Sequence, residues 1–177
     1  MGRVLSMDPG INGGAAITEI AGCRLIDVID LPTLADGEGK RREIDAWRLM
    51  CWALHFEATE AIVENVQPMP SREEDDGDGG RTERRGMGAV SAFRFGAGVF
   101  GARAALRCAK LPIFQVVPRV WKKHFDLGGG ETSKEAARHL AIQLYPEQSE
   151  MFQRVKDHQR AEAVLIGRWR IEKMGML

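Results

Sequence analysis

Three short apolar runs, separated by glycines, open the chain. Val4 to Met7 is broken by Asp8-Pro9-Gly10, Ala15 to Ile20 follows, and Cys23 to Leu31 places Leu25, Asp27, Ile29 and Leu31 at a period of two. Each predicts a strand. Gly13-Gly14 and Gly22 punctuate the turns, and connections this short allow hairpins, so the three read as an antiparallel meander. Leu34 to Arg42 reads as a polar loop. Ile44 to Phe56 then takes a helical period, with Ile44, Trp47, Leu49, Trp52, Leu54 and Phe56 as its apolar positions. Ala61 to Val63 is a short buried strand with Glu64 at its C-terminal end.

The stretch 68–88 differs in kind. It carries Glu73, Glu74, Asp75, Asp76 and Asp78, then Arg81, Arg84 and Arg85, with glycines, two prolines and almost no apolar residue. It is expected to be a mobile loop inside a single domain spanning 1–177. Ala89 to Ala109 resumes as a helix containing Phe93, Phe95, Phe100 and Leu106, where Gly96, Gly98 and Gly101 weaken the helix and permit close packing. Ile113 to Val117 is the next strand, and Pro118 starts a short helix through Trp121. After Gly128 to Gly130, Thr132-x-x-Glu135 forms a capping box for a helix to Leu144, ended by Pro146. Asp157 is placed to cap a last helix running to about Met174. The order predicts an α/β fold, a mixed sheet with helices on its faces.

Composition narrows the class. The 177 residues suffice for one compact α/β domain, and 44% hydrophobic content supports a core. With 25 basic and 25 acidic residues, total charge carries no information about a nucleic-acid partner, and only its distribution can. Cys23, Cys51 and Cys108 are far apart and odd in number, which excludes a disulfide framework or a zinc-type spacing and predicts buried, reduced thiols in a cytoplasm-like compartment. No leader pattern and no apolar run near the ~20 residues of a membrane span is visible, so no membrane partner is expected.

Chemistry enters through the carboxylates. Asp8 and Glu64 each end a strand, where an α/β sheet presents groups to a ligand crevice. Asp157 and Glu162 lie at the start of the last helix, and His158 shares a helix face with Glu162, four residues on. If that helix crosses the strand ends, three or four acids converge and require a cation. Hard oxygen donors suit Mg²⁺ or Mn²⁺, and a pair of such ions hydrolyses phosphodiesters. From Gly101 to Leu140, eight basic residues stand against three acidic ones, a net +5 in a neutral chain, as expected of a phosphate-binding face. Phe93 and Phe95 point to different sides of a helix; core packing accounts for both, and stacking on an unpaired base for one.

The ordered set resembles the RuvC-like Holliday-junction resolvases, nearest their small phage and organellar-type branch. The resemblance is carried by Met7-Asp8-Pro9-Gly10 with Gly13-Gly14, by Ile62-Val63-Glu64, and by Ser91-Ala92-Phe93-Arg94-Phe95-Gly96. Val117-Pro118 with Trp121-Lys122-Lys123, Lys134, and Arg160-Ala161-Glu162-Ala163 complete it. It implies an RNase H-like α/β fold and a homodimeric endonuclease that cuts four-way DNA junctions with two Mg²⁺ ions per site, Mn²⁺ substituting, and no small-molecule cofactor. It further implies that Asp8 bridges the two ions, that Glu64 and Glu162 each bind one, and that Lys134 acts near the scissile phosphate. The fourth ligand is Asp157 or, as its rival, His158. Phe93, Arg94, Lys122, Lys123, Arg81, Arg84 and Arg85 are the implied DNA contacts. The implied location is the cytoplasm of a bacterial or phage-infected cell, or an organellar matrix. The same residues leave open another RNase H-like nuclease acting on flaps, replication intermediates or RNA, or a non-catalytic junction binder. The chain is short for an actin-like ATPase, although Asp8 and its glycines also suit a phosphate loop.

Overall fold

The computed structural model describes residues 2–37, 41–67, 72–75, 81–84, 87–128 and 131–176. Its centre is a five-stranded mixed sheet. The strands are β1 (Arg3–Met7), β2 (Gly14–Glu19), β3 (Leu25–Asp30), β6 (Glu60–Glu64) and β9 (Ile113–Val116), in the order β3-β2-β1-β6-β9. The meander is present: β1 pairs antiparallel with β2 and β2 with β3. β6 lies parallel to β1, and β9 parallel to β6. Parallel neighbours require crossovers, and the helices α1 (Ala46–His55) and α2 (Ala89–Cys108) supply them.

Period-two alternation sends successive strand residues to opposite layers. Leu5, Met7, Ala61 and Val63 pack with Leu49, Ala102 and Leu106 of α1 and α2. Val4 and Ile62 face the other way, onto Trp121 of α3 (Pro118–His124) and Leu165 and Ile166 of α5 (His158–Lys173). α4 (Glu131–Leu144) packs on α5. On this side the fit is close: a Cβ at Gly167 would stand 2.6 Å from Ser6 Oγ, so α5 lies on the sheet with no room for a side chain there.

Several expectations are corrected. The polar segment after β3 contains an antiparallel pair, β4 (Thr33–Ala35) with β5 (Arg42–Ile44); its charged residues disguised strands too short to show a pattern. Within 68–88, β7 (Arg72–Asp75) pairs with β8 (Arg81–Arg84), since like-spaced polar residues can form a ladder through backbone bonds alone. α4 begins at Glu131, which puts Thr132 inside the first turn rather than at the cap. Asp157 does not cap α5 with its side chain; it closes the preceding 3-10 turn, Val155–Asp157, by accepting from the Arg154 backbone N–H at 2.9 Å. Of the cysteines only Cys23 is buried, 3.4 Å from the Tyr145 hydroxyl; Cys51 is partly buried and Cys108 exposed. Among the described residues no helix is long and apolar enough to cross a membrane.

Candidate active site

Register brings the first two carboxylates together. Met7 pairs with Val63 across β1 and β6, so Asp8 and Glu64 follow side by side at the ends of parallel strands, and alternation turns both toward α5. The Asp8 backbone is fixed by its N–H donating to the Gly14 carbonyl at 3.0 Å. Glu162, in the second turn of α5, joins them because Gly14 lets that helix approach: a Cβ at Gly14 would stand 2.7 Å from the Gln159 carbonyl oxygen. Arg160 pins the same turn to the end of β3, donating to both carboxylate oxygens of Asp30 at 2.6 and 2.8 Å.

These acids share one electrostatic field. Burial, and after it the Glu162 charge, push Asp8 up to about 6, against the offsetting Gly10 N–H, Lys122 and His158. Glu64 is pushed up to about 7 by burial first and the Asp8 charge second, while the Trp121 hydrogen bond acts in the opposite sense. α3 sends two neighbours into the cluster. Trp121, wholly buried, donates its indole N–H to Glu64 Oε1 at 2.7 Å, and the Lys122 ammonium lies 2.7 Å from Glu162 Oε1. His158 Nδ1 donates to the Val155 carbonyl at 2.9 Å, so in the neutral ring the Nε2 lone pair is uncommitted by that bond.

Hard carboxylate oxygens with one imidazole nitrogen fit a divalent cation of the Mg²⁺ or Mn²⁺ kind. The Lys122 ammonium is an internal stand-in for positive charge at that place. As they stand, no three His, Cys, Asp or Glu side chains among the described residues are close enough to enclose one ion; Glu162 is drawn to Lys122 instead.

The other residues singled out from the sequence are distributed differently. Asp157 is buried against Arg154, which donates from its guanidinium as well as its backbone. Burial raises its carboxyl, but the Arg154 hydrogen bonds outweigh that and hold it below the ordinary range. Lys122 was expected on a DNA-facing surface and points into the carboxylates, whereas Lys123 beside it is exposed. Arg138, counted with the basic segment, is buried and donates to the Phe152 and Gln153 carbonyls. Lys134 lies partly buried in the first turn of α4. Phe93 is not core: 78% of it is exposed, and Phe95 is partly buried. Phe93 and Arg94 line a groove of about 850 Å³ together with Pro9, Ile11 and Arg42, beginning one residue from Asp8. Arg81 and Arg84 lie on β8, and Arg85 falls outside the described residues. Sequence reasoning missed Trp121 as a partner of Glu64. The available signal was a tryptophan in a polar helix, whose N–H requires an acceptor once the ring is buried.

No protein-family model and no curated protein matches the chain. Solved structures do. The chain is similar to T. thermophilus RuvC in complex with a Holliday junction substrate, with 16% identity and a TM-score of 0.62 over 99% of this chain and 98% of that one. A further Thermus thermophilus RuvC structure matches at 18% identity and a TM-score of 0.60, covering 98% and 97% of the two chains. The likeness shows the fold: this chain has the mixed α/β, RNase H-like architecture of RuvC along nearly its whole length.

Proposed function

We propose that the chain is a metal-dependent DNA endonuclease that resolves four-way junctions as a homodimer. The observation that carries this is the meeting of Asp8, Glu64 and Glu162 on one end of a RuvC-type sheet. The RuvC with a similar fold has been captured on a Holliday junction. Asp8, Glu64 and Glu162 would hold two divalent ions, Mg²⁺ or Mn²⁺. His158 supplies the fourth ligand in preference to Asp157, because its Nδ1 is oriented by the Val155 carbonyl while Asp157 is engaged by Arg154. Ions bound there supply Lewis acidity for attack of water on a phosphodiester and for the departing oxygen. The chain's own part is to hold the acids close together and oriented, and to present Lys123, Arg94 and Phe93 to the DNA beside them, with Lys134 near the phosphate.

Cutting two strands of a junction requires two sites related by a two-fold axis. The exposed part of α2 around Gly96 to Gly101, with Phe100, suits the self-contact, and a Cβ at Gly96, Gly98 or Gly101 would meet nothing within this chain. Reduced thiols and a DNA substrate agree with a cytoplasmic site of action.

The test is cleavage of a synthetic four-way junction with and without Mg²⁺, beside linear duplex, flap and RNA controls. Asp8→Asn is expected to lower the single-turnover rate by more than about ten-fold while leaving junction binding intact or tighter, since a negative charge near phosphate is removed. Equal cutting of the flap or RNA would redirect the reading to another nuclease of this fold; an unaffected Asp8→Asn rate would remove the metal site.

A further inference from the structure

Trp121 and Lys122 are neighbours on α3, and they treat two acids in chemically different ways. Lys122 brings a full positive charge 2.7 Å from Glu162. Trp121 brings a neutral N–H 2.7 Å from Glu64. An ammonium neutralises its partner and competes with a metal ion for it. An indole donates only and has no lone pair to offer a metal, so it fixes an oxygen without cancelling the charge.

The ring is well placed to do this. It has no exposed surface and packs among Ile62, Val116, Leu165 and Ile166, on the same side of the sheet as Glu64. Pro118 opens α3 and fixes the backbone direction one turn before the ring. A glutamate side chain left to itself has three rotatable bonds, and immobilising it costs conformational entropy. One bond from an immobile donor removes much of that freedom before any ion arrives.

We propose that Trp121 is the positioning residue of Glu64: its buried indole N–H holds Oε1 and leaves the second oxygen turned to the cluster shared with Asp8. This rests on the reading of the carboxylates as a metal site. Trp121 touches neither substrate nor metal, and acts through Glu64.

Trp121→Phe keeps the ring and deletes the N–H. Calorimetric titration with Mn²⁺ is expected to show about ten-fold weaker binding than in the wild-type chain, the lower end of what loss of a ligand's hydrogen-bond partner does. Ile166→Val thins the same apolar cluster but keeps the N–H, and its Mn²⁺ affinity is expected to stay within about two-fold of wild type. Equal weakening in both variants would make the effect one of packing and overturn the proposal. So would wild-type affinity in Trp121→Phe. Wild-type protein that binds no Mn²⁺ sinks the metal reading and the inference with it. A measurement that does not depend on the folding of Trp121→Phe is the ¹H–¹⁵N indole spectrum of the wild-type chain. Mg²⁺ is expected to shift the Trp121 indole signal there and to leave it in place in Glu64→Ala; a signal unmoved in the wild-type chain while Mg²⁺ binds would also overturn the proposal.

Discussion

α2 and α5 are the two longest helices, and by sequence α2 is the more apolar. Burial runs the other way. Eight of the 16 residues of α5 are buried, Glu162 among them, against three of the 20 in α2. α5 is covered on two sides, by β1 and β2 below and α4 above, so the run Ala161 to Gly167 needs no single apolar stripe. In α2 only Ala102, Ala105 and Leu106, near its C-terminal end, enter the core, while Val90, Phe93 and Phe100 stay exposed. The glycines repeat the contrast. Gly167 of α5 is demanded by the sheet beneath it, whereas Gly96, Gly98 and Gly101 face open space. Apolar content without cover inside the chain marks a surface left for something outside it.

The contrast can be broken most sharply at Gly167. Gly167→Ala forces a Cβ to 2.6 Å from Ser6 Oγ and 3.1 Å from Ser6 Cβ, and urea unfolding is expected to register a loss of about 2–3 kcal/mol. A neutral result would mean that α5 can lift off the sheet at no cost. Next in size is the strain of the acids beneath α5. In the metal-free protein Asp8→Asn is expected to stabilise by about 2 kcal/mol near neutral pH. The sign follows from the raised carboxyl: the folded state is penalised as pH climbs from the ordinary 3.8 through about 6, so the gain is complete above that window and fades below it. A gain of the same size at both ends of the window would refute burial and repulsion as its cause.

On α2 the expected changes are smaller and partly reversed in sign. Gly98→Ala adds a methyl that meets nothing in the chain and is expected to stabilise the monomer by up to about 1 kcal/mol. Sedimentation equilibrium should show weaker self-association in the same variant, since a close contact between two copies would be spaced apart; unchanged association would move the interface elsewhere. The smallest effect on folding is expected for Phe93→Ala, within about 0.5 kcal/mol for so exposed a ring. Junction affinity, read by fluorescence anisotropy, should nonetheless fall several-fold if the ring stacks on a base.

The chain's own pattern determined the sheet meander, the short buried strand before Glu64 and the helices after it, because alternation, helical period and glycine turns are local properties. It also marked Asp8, Glu64 and Glu162, each at the end or start of a recognisable element. The strands β4, β5, β7 and β8 were not legible, since three- or four-residue pairs of polar residues carry no burial pattern. Nor could spacing place Asp157 and His158: both precede Glu162 at the head of α5, and only the fold of the 3-10 turn pairs Asp157 with Arg154 and puts His158 in the field of Asp8. Lys122 and Trp121 looked like one basic stretch with an aromatic. Their meeting with Glu162 and Glu64, 40 and 57 residues away along the chain, was decided by the packing of α3 against both the sheet and α5, because contacts at such separation depend on where whole elements lie and not on the residues that flank them.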